Sequence, residues 1–536
     1  MEKKVAVLSV YHKEGIVDFA KALVGLGWKI VASGGTARKL AEAKVPVMDV
    51  SDLVGGGAIL GHKVVTLSRE LHASILADPN SEEDVADMER LGLPWVDLVC
   101  VDMYPLEEEI AKADCTLESV IKQTDIGGPT MIRAAAKSGR IVICDPADRE
   151  WIIQKLKEDG DIDLGYRNQL AAKAERVVAE YVLASAQYRS NGSYVGFIGE
   201  KVRQCKYGEN AWQADAALYG MDEYDPLSLE NFELIMGTAP SYNNYCDLDR
   251  LIQVITHIYR GLAINYNMEL PIAVACKHGN PCGVAIGTSD DAIVTLRSMI
   301  AGDTRAILGG SVIVNFPIGE VEADLLMTFL TENGKRRLLD MVIAPFFSKT
   351  ALETMSRKED KCRCLENLAL ASDLQLAQSP RFRQVRGGCL LQDNYTKILD
   401  LRRSDVVKIG EATYQQEMDM ILGWAIGSTS NSNTITLVRD GMLIGNGVAQ
   451  QDRVGACKLA IMRAQDSGHD TEGAVAYSDS FFPFPDGPEV LYEAGIKAIF
   501  TSSGSVNDKE VFAACKEWGI IVYSLPDKDI RGFFGH

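Results

Sequence analysis

From Lys3 to about Glu200 the chain alternates short β-branched runs with amphipathic segments of helical length, and this alternation restricts the fold more than any other feature. Residues 5–10, 29–32, 98–102 and 141–144 read as strands. Residues 16–26, 36–43, 82–91, 129–137 and 149–157 read as helices. Strands separated by helices need crossover connections, so the segment predicts βαβ units and a parallel sheet. A long helical stretch, 167–187, leads to Ser190-Asn191-Gly192-Ser193, the best candidate for a domain boundary. The expected division is residues 1–199 and 202–536. The second part is again mixed α/β, but less regular, with loops rich in Gly, Asn and Pro. No short internal repeat and no low-complexity tract is visible.

At 536 residues and 47% hydrophobic composition the chain has room for roughly three or four average domains with sizeable cores. No apolar run approaches the ~18 residues needed to span a bilayer. Residues 5–10 are too short for a signal-peptide core and read as a first strand. Twelve cysteines lack CxxC spacing, the nearest approach being Cys362-Arg363-Cys364, so reduced thiols and a cytoplasmic location are expected. No zinc-ligand spacing occurs and no metal is expected. A net charge of −19 argues against nucleic acid or an acidic membrane as partner. Small anionic substrates are still allowed, held by local Lys, Arg and helix N-termini.

Lys277-His278-Gly279-Asn280-Pro281-Cys282-Gly283 follows an apolar, strand-like run, so two ionisable side chains sit where a strand enters a turn. With only seven histidines in the chain, few groups can move protons near neutral pH. An arbitrary Lys-His pair is usually a surface feature; the fixed succession that follows this one favours a site.

In the first part, strand 29–32 runs into Ser33-Gly34-Gly35-Thr36 and then a helix. Free backbone N–H groups and the helix dipole make this a seat for phosphate, while a plain N-cap by Ser33 or Thr36 explains it equally well. Asp125-Ile126-Gly127-Gly128-Pro129 repeats the logic, and Arg133 and Lys137 share a face of the helix that follows. Tyr104-Pro105 ends another strand.

In the second part, Lys206-Tyr207 pairs a cation with a ring, and Ser241-Tyr242-Asn243-Asn244 clusters amides. Asn431-Ser432-Asn433 precedes a strand and Gln450 to Arg453 a helix. Phe481 to Gly487, with three phenylalanines between prolines, is either a buried corner or a stacking wall for a flat ligand. Ser502 to Val506 before Asp508 is an anion-binding turn or an N-cap.

Together these residues resemble the bifunctional purine-biosynthesis family that joins a transformylase to a cyclohydrolase. The resemblance runs nearly end to end and keeps motif order. It covers SGGTA at 33–37, the tyrosine-proline turn, DIGGP at 125–129 with AAAK at 134–137, KYGEN at 206–210 and SYNN at 241–244. It continues through KHGNPCG at 277–283, GxAQQxR at 447–453, FFPFPDG at 481–487 and SGS at 503–505. The resemblance implies an α/β protein: a methylglyoxal-synthase-like parallel-sheet domain, then a transformylase region of two cytidine-deaminase-like lobes. It also implies a homodimer with transformylase sites at the interface.

The implied chemistry is formyl transfer from 10-formyltetrahydrofolate to 5-aminoimidazole-4-carboxamide ribonucleotide, then cyclisation to inosine monophosphate. No metal is implied, though a monovalent cation fits the family. An aromatic amine conjugated to a carboxamide is a weak nucleophile, so it must lose a proton as it attacks, and the developing oxyanion needs fixed donors. By resemblance His278 is the general base and acid, Lys277 tunes it, and Asn433 is a polar contact. Lys206, Tyr207, Asn244, Asp303, Arg453, Phe481 and Arg531 hold the nucleotide. Pro483, Phe484, Asp486, Ser503 and Gly504 hold the folate. In the first domain Ser9, Lys13, Ser33, Gly34, Gly35, Thr36, Lys63, Thr66, Gly127 and Gly128 hold the formylated nucleotide, with Tyr104, Asp125 and Lys137 assisting ring closure.

The chain departs from the family pattern in places. Val65 stands where a site lysine is expected, and Lys63 replaces an arginine, which is not equivalent chemistry. Lys206 also replaces an arginine, Trp212 a common histidine, and residues 303–310 read DTRAILGG rather than DPxSAFGG. One alternative is therefore a transformylase with a weak or inactive cyclohydrolase domain. Another, a zinc nucleoside deaminase, lacks the His-x-Glu and Pro-Cys-x-x-Cys ligands it requires.

Overall fold

The structure, a computed structural model, describes residues 4–534 except 61–63, 222–224, 288–290, 359–360 and 373. The chain divides between residues 198 and 199 into two compact units.

The first unit is built on a five-stranded sheet in the order Met48–Asp49, Lys29–Ala32, Val5–Ser9, Val96–Val101, Ile141–Ile143, with every neighbouring pair parallel. Helices cover it with apolar stripes at helical spacing: Ile16–Gly25 buries Ile16, Phe19, Ala20 and Leu23. Two helices start two residues earlier than the sequence suggests. Gly34–Glu42 and Gly127–Lys137 each take a glycine pair into their first turn, so the glycines form the helix N-terminus itself. Because the sheet is parallel, the C-terminal ends of its strands lie at one edge, where Ser9, Ser33 and the chain after Val101 collect.

The second unit carries a twelve-stranded sheet among the described residues. From one edge its first half runs Glu233–Met236, Arg363–Glu366, Met341–Ala344, Ser311–Val314, Ile272–Lys277 and Asn280–Ile286. The second half continues Met442–Gly447, Ile435–Arg439, Val475–Ser478, Ala498–Ser503, Ile521–Pro526 and Val407–Ile409. In chain order both halves follow one plan: an edge strand, a long helix, a tight hairpin, then three strands separated by helices. The pairing directions also match, with the first added strand antiparallel to the hairpin, the next two parallel, and the edge strand antiparallel. The sequence shows no repeat, yet the backbone contains one. A common path needs similar apolar periodicity and turns, not similar side chains.

The halves meet where Asn280–Ile286 lies antiparallel to Met442–Gly447, with Ala285 opposite Met442. Towards Asn280 the two strands part. Their registers place the turn at His278, the loop before Ile435, and the chain leaving Ser478 and Ser503 at one end of the sheet. The second hairpin turn, Asp440-Gly441, lies at the opposite end. A separate exposed hairpin pairs Arg381–Val385 with Gly388–Gln392.

Candidate active sites

At the strand ends of the first unit, Ser33 occupies the N-cap position of Gly34–Glu42, but its side chain does not cap the helix. Its hydroxyl instead lies 2.6 Å from that of Ser9. The plain N-cap explanation by Ser33 therefore fails. Thr36 does different work from that expected: it is buried, and its hydroxyl bonds both the N–H and the C=O of Val10, 3.2 Å each. It fixes the start of the 10–13 loop. Lys13 lies over Gly35, its ammonium donating to the Val10 carbonyl, and burial lowers its pKa against the pull of Asp102.

The second glycine pair is closely packed. A Cβ on Gly127 would run into the Thr66 hydroxyl, and one on Gly128 into the Asp125 carboxyl. Asp125 accepts from the Gly128 N–H at 3.0 Å, while the Tyr181 hydroxyl accepts from the Asp125 N–H at 2.6 Å. Burial raises the Asp125 pKa, opposed by the backbone amides of Gly128, Tyr104, Gly127 and Ile126. Burial likewise raises that of Tyr104, with Asp125 adding to it. Ser9, Lys13, Ser33, Gly34 and Gly35 thus gather at one seat, and Thr66, Asp125, Gly127 and Gly128 at the other. Lys137 is not brought to them. It ends an eleven-residue helix that starts at Gly127, about 15 Å along the axis, and is exposed. Lys63 lies outside the described residues. Val65 packs against the core of the unit.

In the second unit the Lys-His pair forms a two-residue hairpin turn. His278 and Gly279 both have positive φ, 53° and 70°, the geometry of a type I′ turn. Such turns most often carry Asn, Asp or Gly at the first position, and histidine is a less usual occupant. The anchor is Asp247, whose carboxylate accepts the Gly279 N–H at 2.8 Å. Burial raises the Asp247 pKa, opposed by that amide and by His278. Asp247 lies in the second turn of the helix Tyr242–Tyr266, and its role shows only when that helix is laid beside the turn. Lys277 is pinned by donating to the Leu308 carbonyl at 2.6 Å.

The parting strands enclose a cavity of about 390 Å³ lined by Lys277, His278, Asn280 and Asp303 together with Asn446 and Arg463, two polar groups the sequence did not single out. Asp303 caps its own turn through the Ala306 N–H at 2.9 Å and faces Arg463 at 3.7 Å. Burial pushes the Cys282 thiol up to about 12.

Other expected residues have different work. Asn244 forms a reciprocal capping box with Ser241, 3.0 and 3.3 Å, so its carbamoyl oxygen is taken by the helix start. Lys206 and Tyr207 are tied to that start by backbone bonds to Pro240 and Tyr242. Arg453 is not an open nucleotide cation: its guanidinium pairs with buried Asp479, bonds Ser478 at 3.0 Å, and donates to the Asn433 carbonyl oxygen at 2.9 Å. It therefore positions Asn433, which a two-way backbone bond to Gln450 also fixes. Arg531 pairs with Asp527 at 3.4 Å.

The phenylalanine loop combines both of its readings. Phe482 is core, Phe481 is half-buried and Phe484 is exposed. Asp486 is the first residue of Asp486–Glu493, and Asn507 draws the 503–507 turn to the Pro483 carbonyl at 2.8 Å. The expected anion seat at Ser503-Gly504 is already filled, because Asp508 accepts the N–H groups of Gly504 and Ser505 at 2.7 and 3.2 Å.

A family model described as AICARFT/IMPCHase bienzyme matches residues 135–463, and one described as MGS-like domain matches residues 15–130. A bifunctional purine biosynthesis protein PurH of Anoxybacillus flavithermus is 36% identical over 97% of this chain and 98% of its own length. One of Caldicellulosiruptor saccharolyticus is 35% identical with the same coverage. A solved chain described as the crystal structure of ForH is 32% identical, covers 36% of this chain and 100% of its own, and has a TM-score of 0.32. With the matched relatives spanning both units, the chain belongs to the AICARFT/IMPCHase bienzyme family.

Proposed function

We propose that the chain carries out both reactions of its family, formyl transfer at the His278 end of the large sheet and cyclisation at the strand ends of the first unit. The observation that carries this is the His278-Gly279 turn, which presents an exposed imidazole at the mouth of a polar cavity on a backbone held by Asp247. His278 takes the proton from the substrate amine as it attacks the formyl carbon of 10-formyltetrahydrofolate, and returns it to N10 as the formyl C–N10 bond breaks and tetrahydrofolate leaves. Lys277, fixed on Leu308, places positive charge beside it. Asn433, held by Arg453 and Gln450, offers a preorganised amide to the developing oxyanion. Phe484, Asp486 and Pro483 suit a flat pterin, with Ser503 and Gly504 beside them. In the first unit the Gly34-Gly35 N-terminus with Lys13 receives phosphate, and Asp125 with Tyr104 handles protons during ring closure.

A cytoplasmic homodimer sharing its transformylase sites, using a monovalent cation as the family resemblance allows, completes the reading. The test is His278→Ala with tetrahydrofolate release and inosine monophosphate formation followed separately. Loss of the first with the second intact, when formylated nucleotide is supplied, is expected; an unchanged first rate sinks the assignment. Val65, turned to the core where a cation is expected, favours a second reading in which the cyclohydrolase is slow. Cyclisation by the full chain no faster than the uncatalysed reaction decides for it.

A further inference from the structure

The two halves of the large sheet give each position of the first a counterpart in the second. Asp247 is the sixth residue of Tyr242–Tyr266 and accepts the Gly279 N–H; Asp419 is the sixth of Tyr414–Gly427 and accepts the Gly441 N–H, also at 2.8 Å. The ninth positions are then Arg250 and Leu422. Leu422 is 1% exposed and packs in the core. Arg250 is 7% exposed, so this fold uses the position for burial and a charge there is a departure. A buried guanidinium is costly unless its donors are used, and it stays charged.

Arg250 spends its donors in one direction. One terminal nitrogen donates to the Asn431 side-chain oxygen at 3.2 Å and to the Phe534 carbonyl at 3.0 Å; the other is buried with no hydrogen-bond partner among the described residues. The guanidinium also lies 4.3 Å from the Phe534 ring centre, whose opposite partner is Arg381 at 3.4 Å. The Phe534 N–H donates to the Ser430 carbonyl at 3.0 Å, and Asn431 in turn accepts from the Ala449 N–H at 2.9 Å. Ser430, Asn431, Ala449 and Gln450 are the backbone on which Asn433 stands. Arg453 grips this loop from one side with Asp479 behind it, and Arg250 grips it from the helix that also anchors the His278 turn.

We infer that Arg250 is a positioning residue for formyl transfer, joining the last residues of the chain to the 431–433 loop so that Asn433 is held in register with the His278 turn. The inference rests on the proposed role of Asn433. It makes the C-terminal segment part of the site's support without contact with the reacting atoms.

The experiment is a double-mutant cycle on the full chain, using Arg250→Ala, Asn433→Ala and the pair. Loss of a charge-assisted hydrogen bond predicts about tenfold lower formyl-transfer kcat for Arg250→Ala, with KM for either substrate shifted much less. The pair should be no slower than Asn433→Ala alone, and millimolar methylguanidinium should restore part of the Arg250→Ala rate. The cyclisation rate should be unchanged. Losses that multiply in the pair, an unchanged kcat for Arg250→Ala, or equal loss of both activities overturns the inference. An Asn433→Ala variant at full rate removes the underlying reading instead. If Arg250→Ala does not fold, Phe534→Leu, which keeps the carbonyl and deletes the ring, enters the same cycle with the same criteria.

Discussion

The turns at His278-Gly279 and Asp440-Gly441 are the same piece of backbone used twice. Both close a hairpin with two positive-φ residues, 53° and 70° in one and 52° and 75° in the other. Both hang from an aspartate on the helix before them. They differ in the residue at the first turn position. Asp440 is among the residues such turns prefer, whereas His278 is not. What the fold requires is visible in the second turn, and what the first adds to it is an imidazole beside a lysine. The cavity lies by the histidine turn, where the central strands part, and the aspartate turn lies at the far end of the sheet.

Grafting one turn onto the other breaks the comparison most directly. His278→Asp should cut formyl transfer about 10²- to 10⁴-fold while leaving the hairpin intact, as read by steady-state rates on protein with an unchanged melting temperature. A variant that retains its rate would mean the turn is only a turn. Removing the anchors comes next. Asp247→Ala and Asp419→Ala should each cost on the order of 1–3 kcal/mol in urea unfolding, because each strands a turn amide. Only Asp247→Ala should also lower formyl transfer. Equal effects on activity would erase the distinction between the halves.

The anchors also predict a pH dependence. Burial lifts the Asp419 pKa to about 6, opposed by the Gly441 N–H and Gln415. A carboxyl whose folded pKa lies above its unfolded value favours the fold most below the unfolded value, near 3.9, and loses that contribution as pH rises through about 6. The stability difference between the wild type and Asp419→Ala should therefore shrink by about 2 kcal/mol between pH 4 and pH 7. A constant difference in urea midpoints removes the claim. The smallest effect belongs to the reverse graft: Asp440→His should cost about 0.5–1 kcal/mol through its unfavourable left-handed conformation and create no formyl transfer.

How much could be read beforehand depended on what each feature is made of. The glycine pairs at 34–35 and 127–128, the parallel βαβ order and the Lys-His turn are local patterns, so they were legible. Thr36, Asn244, Arg453 and the Ser503-Gly504 turn were also visible, but their partners are Val10, Ser241, Asp479 with Asn433, and Asp508, and a motif does not say whether its donors are already spent. Asp247 was missed because it acts across 32 residues, and Arg250 because its partners lie at 431 and 534. The two lobes entered only through the family resemblance, because their likeness lives in the order of strand pairing. Its trace in sequence is an aspartate at the sixth helix position followed by a basic-x-Gly turn.

The large sheet's continuity from Asn280–Ile286 to Met442–Gly447 has a thermodynamic consequence. Ile286, Leu443, Val438 and Trp424 belong to one buried cluster that draws on both halves, while the opposite face of each half packs into a cluster of its own. The duplicated plan suggests two folding units, but the shared interior couples their unfolding. A lesion in the half without the histidine therefore withdraws support from the half that has it, and formyl transfer and the structure of the distant turn should vanish at the same temperature.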